Sequence, residues 1–326
     1  IRDSDNGEKV QYDKLLVATG SKPFVPPMKD IDKVEDKFTF MTWDSAKAIR
    51  EKVTAGTKVL IIGAGLIGLK CAEALHHLNA DITVVDLADR ILPSILDVRA
   101  GEIMQTHIED KGTKFILGTS VEQFSKNSAK LTNGETVDFD ILVIAVGVRP
   151  NTELVSDAGG KVEKGIITDL HQQTTIDNVY AAGDCTVSHD CSSNTDRILA
   201  LLPNAFMQGE VAGKNMAGEE TLYLNAIPMN AIGFYGLHII TAGSYDGDED
   251  ITEDADKEIY KKLVFKDGLL KGFILMGDVA RAGIYTSMIK EQIPLTEVDL
   301  DLLRDKPQMM MFGKARREEK LAGKKH

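Results

Sequence analysis

Gly63, Gly65 and Gly68 sit in the run TKVLIIGAGLIGLKCAEALHHLNADITVVD (57–86), where a GxGxxG spacing follows a short apolar strand and precedes a helical pattern. That setting suits a dinucleotide grip. Gly63 permits a tight turn, Gly65 lets the backbone approach a pyrophosphate, and Gly68 lets helix and strand pack closely. Leu66 and Ile67 lie between the glycines, where a helix N-terminus would face the phosphates. Asp86 follows about 20 residues on, at the end of a second strand, placed to accept hydrogen bonds from a ribose 2′-hydroxyl. The same carboxylate would repel a 2′-phosphate, so the pattern favours NADH over NADPH, while Arg90 is the residue that could hold such a phosphate. Glycines serving packing alone are the competing reading. The strand before, the helix after and the acid in its place argue against it.

The elements around these residues can be read from periodicity. Strands are expected at 59–62 and 82–85, with a helix over 69–78 on which Leu75 and Leu78 fall at helical spacing. A helix around 97–111, a strand TKFILG (113–118), a hairpin at 129–137 turning on Asn133-Gly134, and the strand of FDILVIAVGVRPN (139–151) follow. This unit opens at Gly63 and closes at Gly147, 84 residues later. Its closing strand, FDILVIAVGVRP (139–150), has a near-copy in YDKLLVATGSKP (12–23). If the copies close equivalent units, the first unit opens upstream of residue 1. The expectation is therefore two closings, one opening, and roughly 100 further residues ahead of Ile1 in the whole protein. TTIDNVYAAGDCTV (174–187) supplies another strand, ending at Gly183, where the backbone can come close, and Asp184, which can grip sugar-like hydroxyls. An ordinary strand and turn is the alternative there. LLPNAFMQGEVAGKNMAG (201–218) reads as a helix beginning near Pro203 and Asn204 and stopped by Gly218.

At 326 residues and 43% hydrophobic, the chain can form two or three domains. A net charge of −12 argues against nonspecific nucleic-acid or anionic-membrane binding, since either needs a basic surface. The longest apolar stretch, VLIIGAGLIGL (59–69), is too short and glycine-broken for a membrane span. Cys71, Cys185 and Cys191 make no disulfide framework and no signal-peptide pattern precedes the fingerprint, so a cytoplasmic location is expected.

The order of these motifs resembles the flavin- and nicotinamide-dependent pyridine nucleotide-disulfide oxidoreductase family, on the strength of LLVATGSKP, IIGAGLIG, VIAVGVRPN and VYAAGD. Within it, LLPNAFMQG, PMNAIGFYGLHIITAG (228–243) and GFILMGDVARAGIYTSMI (272–289) look most like the NADH:rubredoxin reductase and nitrite-reductase-associated branch. The family's FAD fingerprint has no counterpart in this sequence. The resemblance implies an α/β fold with two Rossmann-like nucleotide-binding domains, the first incomplete, and a small α+β C-terminal interface domain. The FAD-binding domain would comprise 1–40 and 152–218, the NAD-binding domain 41–151, and the interface domain 219–326. It also implies that Asp184 binds the FAD ribityl chain, that Thr19 and Gly20 lie near the FAD, and that Gly147 lines the nicotinamide side. The helix near Asn204 would direct its dipole at the flavin.

Several other clusters read as structural. Cys185 and Cys191, with His189 between them, have neither thiol-exchange nor zinc spacing, and Cys71 reads as a small core residue. DGDEDITEDADK (246–257) imitates a calcium loop but carries Ile251 where glycine is needed and Lys257 where glutamate is needed, so a solvated loop is expected. His76 and His77 are adjacent on a helix and cannot share a metal, so no metal site is expected. The basic end GKARREEKLAGKKH (313–326) reads as a solvated tail, with docking of an acidic electron carrier as the alternative. In 219–311 a hairpin turns at Asp267-Gly268 and no nucleophile or base stands out, which suits an interface, with a homodimer as one use of it.

The functional expectation is an NADH-dependent flavoprotein reductase. It would pass a hydride from NADH to FAD and electrons on to a small carrier protein such as a rubredoxin, or to a small-molecule acceptor. Hydride transfer requires no protein acid or base, so no catalytic residue is nominated. A thiol-using NADH oxidase or coenzyme A-disulfide reductase, and a non-catalytic NAD-binding module, are the alternatives.

Overall fold

The computed structural model describes residues 9–322. The fingerprint region builds a five-stranded parallel sheet in the order Lys37–Thr39, Ile141–Ile144, Lys58–Ile62, Asp81–Val85, Lys114–Ile116. Its central strands are apolar without alternation because both faces are covered. On one face, Leu69, Ala72 and Leu75 of the helix Leu66–His76 pack with Met104 and Ile108 of the helix Val98–Glu109. On the other, Leu60, Ile62 and Leu142 meet Phe124, Ala129 and Leu131 of an antiparallel sheet formed by Val121–Phe124, Ser128–Leu131 and Thr136–Asp138. The fingerprint helix begins a turn before the expected residue 69, since Gly65, in an extended conformation, is its N-cap.

A second group of strands comes from both sides of this unit in sequence. Leu15–Val17 pairs in parallel with Val179–Ala181, and Ile166–Ile167, Thr186–Asp190 and Thr195–Arg197 form a small mixed sheet. The helix Leu202–Met216 carries Pro203 in its first turn, as its pattern predicts.

The C-terminal sheet is antiparallel, in the order Met229–Phe234, Leu237–Gly243, Leu269–Met276, Ile259–Lys266, Asp248–Asp254. Its residues divide by parity, as side chains on a strand must. Phe273 and Leu275 pack on Tyr285, Met288 and Ile289 of the helix Ala282–Lys290. Ile274 and Met276, with Phe234 and Ile239, join the core of the fingerprint unit. The turn at Asp267-Gly268 has positive φ at both residues, the geometry a tight hairpin needs. The acidic run 246–257 departs from expectation: Asp248–Asp254 is an edge strand, not a loop. Its acids are balanced across the sheet and beyond, with Glu249 on Lys262, Asp250 on Arg304 and Glu253 on Arg99. Charge along a free edge also discourages another strand from pairing there. The basic end forms a helix, Lys314–Ala322, in place of the solvated tail expected, and residues 323–326 lie outside the described residues.

A polar cluster joins the C-terminal sheet to the fingerprint unit. Asp97 caps the helix Val98–Glu109 by accepting from Ala100 N at 2.9 Å, and it also accepts from the Tyr260 hydroxyl at 2.7 Å. Lys262, 4% exposed, lies 3.1 Å from Asp97 and 2.5 Å from Glu249. Burial alone would raise the Asp97 carboxyl, but the Ala100 N–H, the Tyr260 hydroxyl and Lys262 outweigh it and hold it below its usual 3.8. Burial likewise opposes the Lys262 charge, yet Glu249 and Asp97 hold its ammonium above the usual 10.5. Asp97 therefore contributes stability that is complete above its unfolded value and lost as pH falls through the lowered one. Lys262 contributes stability that is complete below its unfolded value and lost as pH rises through the raised one. Asp97→Ala removes the helix cap and one of the two carboxylates on the buried Lys262 ammonium, leaving Glu249, and is expected to cost about 1–3 kcal/mol in urea denaturation at neutral pH. The difference from the parent protein should shrink as the pH falls below 4.

Candidate functional site

The two near-identical closing segments meet. Ser21–Pro23 pairs antiparallel with Val148–Pro150, in the register Pro23 to Val148 and Ser21 to Pro150. The pairing is reciprocal at its ends, where Phe24 N donates to Gly147 O at 2.9 Å and Asn151 N donates to Gly20 O at 2.9 Å. Gly20 and Gly147 both hold positive φ, 64° and 111°. Asn151 Nδ2 donates to Thr19 O at 2.9 Å, the Thr19 hydroxyl donates to Asn151 O at 2.6 Å, and the Arg149 guanidinium lies 4.2 Å from the Phe24 ring centre.

Beside this crossing lies a cleft of about 790 Å³. Gly63, Gly65, Leu66, Ile67, Asp86 and Gly147 all line it, so six of the candidate residues converge. The three fingerprint glycines behave differently. A Cβ on Gly63 would lie 2.3 Å from Ala145 O, and one on Gly68 would lie 1.9 Å from Gly63 O, so both positions are closed by the chain itself. A Cβ on Gly65 meets nothing within 4 Å and would project into open space. No side chain caps the fingerprint helix, whose first N–H groups have no partner within the helix. This end of the helix offers donors and a partial positive charge, which suits a phosphate.

Asp86 is half-buried behind the turn. Its Oδ2 accepts from Ala64 N at 2.5 Å and its Oδ1 accepts from Ala88 N at 2.8 Å, so it braces the glycine turn as well as facing the cleft. Each carboxylate oxygen keeps a further lone pair for a ligand hydroxyl. Arg90 is not among the residues lining the cleft; its Nη1 sits 3.3 Å from Asp89 and its Nε is buried without a hydrogen-bond partner.

The residues assigned to the second nucleotide are only partly gathered. Asp184 Oδ2 accepts from the Ser21 hydroxyl at 3.2 Å, which brings it against the first crossing segment near Thr19 and Gly20. Gly183, at φ 84°, donates its N–H to Gln208 Oε1 at 2.7 Å. Asn204 is fully buried with its amide turned inward: Nδ2 donates to Ile227 O at 3.0 Å, and Oδ1 accepts from the Tyr223 hydroxyl at 2.8 Å. Its side chain supports the start of the helix, whereas Leu202 and Phe206 stand exposed at 84% and 72%.

Sequence reasoning missed much of the far wall: Phe24, Pro26, Pro27 and Met28, which continue the first crossing segment, and Ala200, which precedes the helix Leu202–Met216. The proline pair in FVPPM was the available signal, since it fixes an extended path past the crossing. The three cysteines are free and buried, and none lines the cleft. Burial pushes the Cys71 thiol up to about 12. No group of three or more potential metal-ligating side chains occurs among the described residues, and none of their helices is long and apolar enough to cross a membrane.

Comparison with known proteins agrees with this geometry. Residues 1–209 match the model of the pyridine nucleotide-disulphide oxidoreductase family, and 228–293 match that of the rubredoxin NAD+ reductase C-terminal domain. The chain belongs to the pyridine nucleotide-disulphide oxidoreductase family. It is 33% identical over 302 residues to the NADH-dependent phenylglyoxylate dehydrogenase subunit epsilon of Aromatoleum evansii, covering 89% of this chain and 71% of that protein. It is 32% identical over 301 residues to the assimilatory nitrate reductase electron transfer subunit of Bacillus subtilis, covering 89% of this chain and 38% of that protein. Among solved structures, the NAD-dependent persulfide reductase from A. fulgidus superposes with a TM-score of 0.80 at 27% identity, covering 90% of this chain and 60% of that one. The chain thus spans between 38% and 71% of the length of these relatives.

The glycine geometry separates packing from binding. Gly68→Ala should destabilise the fold by about 2–3 kcal/mol. Gly65→Ala, a poorer N-cap without a clash, should cost only about 0.5–1 kcal/mol while weakening NADH binding about ten-fold or more. Thermal unfolding and NADH titration of both variants test the pair.

Proposed function

We propose that the chain is the dinucleotide-handling part of an NADH-dependent flavoprotein reductase that passes electrons from NADH through FAD to a small carrier protein such as a rubredoxin, or to a small-molecule acceptor. The observation that carries this reading is the single cleft in which the uncapped fingerprint helix, Asp86 and Gly147 face one another. These residues fit NADH. The helix end would take the pyrophosphate, Asp86 the adenosine ribose, and Gly147 would leave room at the nicotinamide end. For FAD, Asp184, beside the Ser21 hydroxyl, fits the sugar-alcohol chain, with Thr19 and Gly20 next to it; Gly183 and Asn204 do not fit a direct polar contact, because the Gly183 N–H and the Asn204 amide are engaged within the protein. FAD, when bound, supplies the hydride-accepting and electron-releasing chemistry. The chain's own task is to bind NADH in one orientation, hold the two nucleotide units in register and keep the reacting faces shielded.

A step on a protein thiol has no support within this chain, since its three thiols are buried away from the cleft. The proposal keeps the division into a discontinuous FAD-binding domain (1–40 and 152–218), an NAD-binding domain (41–151) and a C-terminal domain (219–326). It also keeps a cytoplasmic location. A homodimer within this proposal has to use the edge or the outer helices of the C-terminal sheet, because both faces of the sheet are covered.

The test is stopped-flow reduction of the full-length flavoprotein by NADH and by NADPH, followed by addition of rubredoxin, oxygen or coenzyme A disulfide. NADH should reduce the flavin faster than NADPH, and rubredoxin should then reoxidise it. Faster reduction by NADPH, or reoxidation by coenzyme A disulfide alone, would refute the reading. Asp86→Ala should raise the KM for NADH about 10- to 100-fold and narrow the preference over NADPH, since a charged hydrogen bond to the ribose is lost.

A further inference from the structure

Where the two closing segments cross, one strong charge has no counter-charge. Arg149 stands opposite Lys22 in the antiparallel register. Lys22 has a carboxylate of its own, Glu153 at 2.6 Å, and Asp184 accepts from the Ser21 hydroxyl at 3.2 Å. Among the described residues the Arg149 guanidinium has a single partner, the Phe24 ring, whose centre lies 4.2 Å away. A guanidinium is weakly hydrated and rests readily on an aromatic face, keeping its charge.

Phe24 lines the dinucleotide cleft and Arg149 does not, so the charge sits against the wall of the cleft without entering it. Phe24 N also donates to Gly147 O at 2.9 Å, which fixes this part of the wall beside the residue placed at the nicotinamide end of NADH. The two redox states of nicotinamide differ in charge at that end. The dihydro ring is neutral, and loss of its hydride leaves a pyridinium cation. A ligand ring resting on the Phe24 wall adds a stacking distance of about 5 Å, which keeps it within a Debye length of the guanidinium, about 10 Å at 0.1 M salt. Phe24 alone would attract a pyridinium. The fixed cation against the same ring opposes it.

We infer that Arg149 sets the preference of the cleft between the two nicotinamide states: its charge at the Phe24 wall disfavours NAD+ and leaves NADH unaffected, so the product departs more readily than the substrate. The inference deepens the reductase reading and rests on its orientation of NADH. Arg149 acts here through its charge and touches no ligand.

Equilibrium titration of the full-length flavoprotein with NAD+ and with tetrahydro-NAD, a neutral analogue that cannot give up a hydride, tests it. Arg149→Met should tighten NAD+ about three- to ten-fold and leave tetrahydro-NAD within about two-fold of the parent. Arg149→Lys, which keeps the charge, should hold the parent ratio of the two affinities within about two-fold. Higher salt should bring the parent ratio toward that of the neutral variant, since the guanidinium is exposed. A purely structural role would move both ligands together. If Arg149→Met fails to fold, Arg149→Gln removes the same charge. Failure of tetrahydro-NAD to bind the parent protein would overturn the reductase reading and this inference with it. Saturable binding with a ratio that the neutral variants leave unchanged overturns this inference alone.

Discussion

The structure depends on two hydrogen bonds made in mirror fashion, Phe24 N to Gly147 O and Asn151 N to Gly20 O. Each glycine carbonyl accepts from the residue four positions after the other glycine. The arrangement requires both glycines to turn through positive φ, which side chains bearing a Cβ resist. Between these bonds the two three-residue segments run antiparallel, each ending in a proline that offers no N–H for further pairing. The ribbon therefore stays short and joins only its own two halves. The walls of the cleft beside the fingerprint extend from it: Phe24, Pro26, Pro27 and Met28 leave one strand of the crossing, while Ala145, Val146 and Gly147 lead into the other.

The fingerprint was legible because its constraints are local. Gly63 and Gly68 are demanded by backbone atoms a few residues away or on the adjacent closing strand, and the acid at the end of the next strand follows from parallel pairing. The duplicated closing strand was also visible as a repeat. That its two copies bond to each other was not visible, because a three-residue antiparallel pair leaves no alternation to read and its partners lie more than 100 residues apart.

The same distinction explains which side-chain directions the sequence did not carry. A helix beginning near Asn204 could be read from Pro203 and the apolar spacing, but the direction of the Asn204 amide is set by Tyr223 and Ile227, from a later segment. Arg90 was read from its nearness to Asp86 in sequence, yet it does not line the cleft and its guanidinium sits beside Asp89. The run 246–257 looked like a loop because its charges hid a strand whose neutralising partners, Lys262, Arg304 and Arg99, come from three other elements. In each case the missing information was tertiary.

The C-terminal sheet contributes Ile274 and Met276 to one core and Phe273 and Leu275 to another. A slip of one residue along that strand would exchange both sets at once, pulling the sheet from its neighbour and its own helix together. An added or deleted residue is therefore tolerable only in turns such as Tyr235-Gly236 and Asp267-Gly268, because one inside the strands between them would break both cores together.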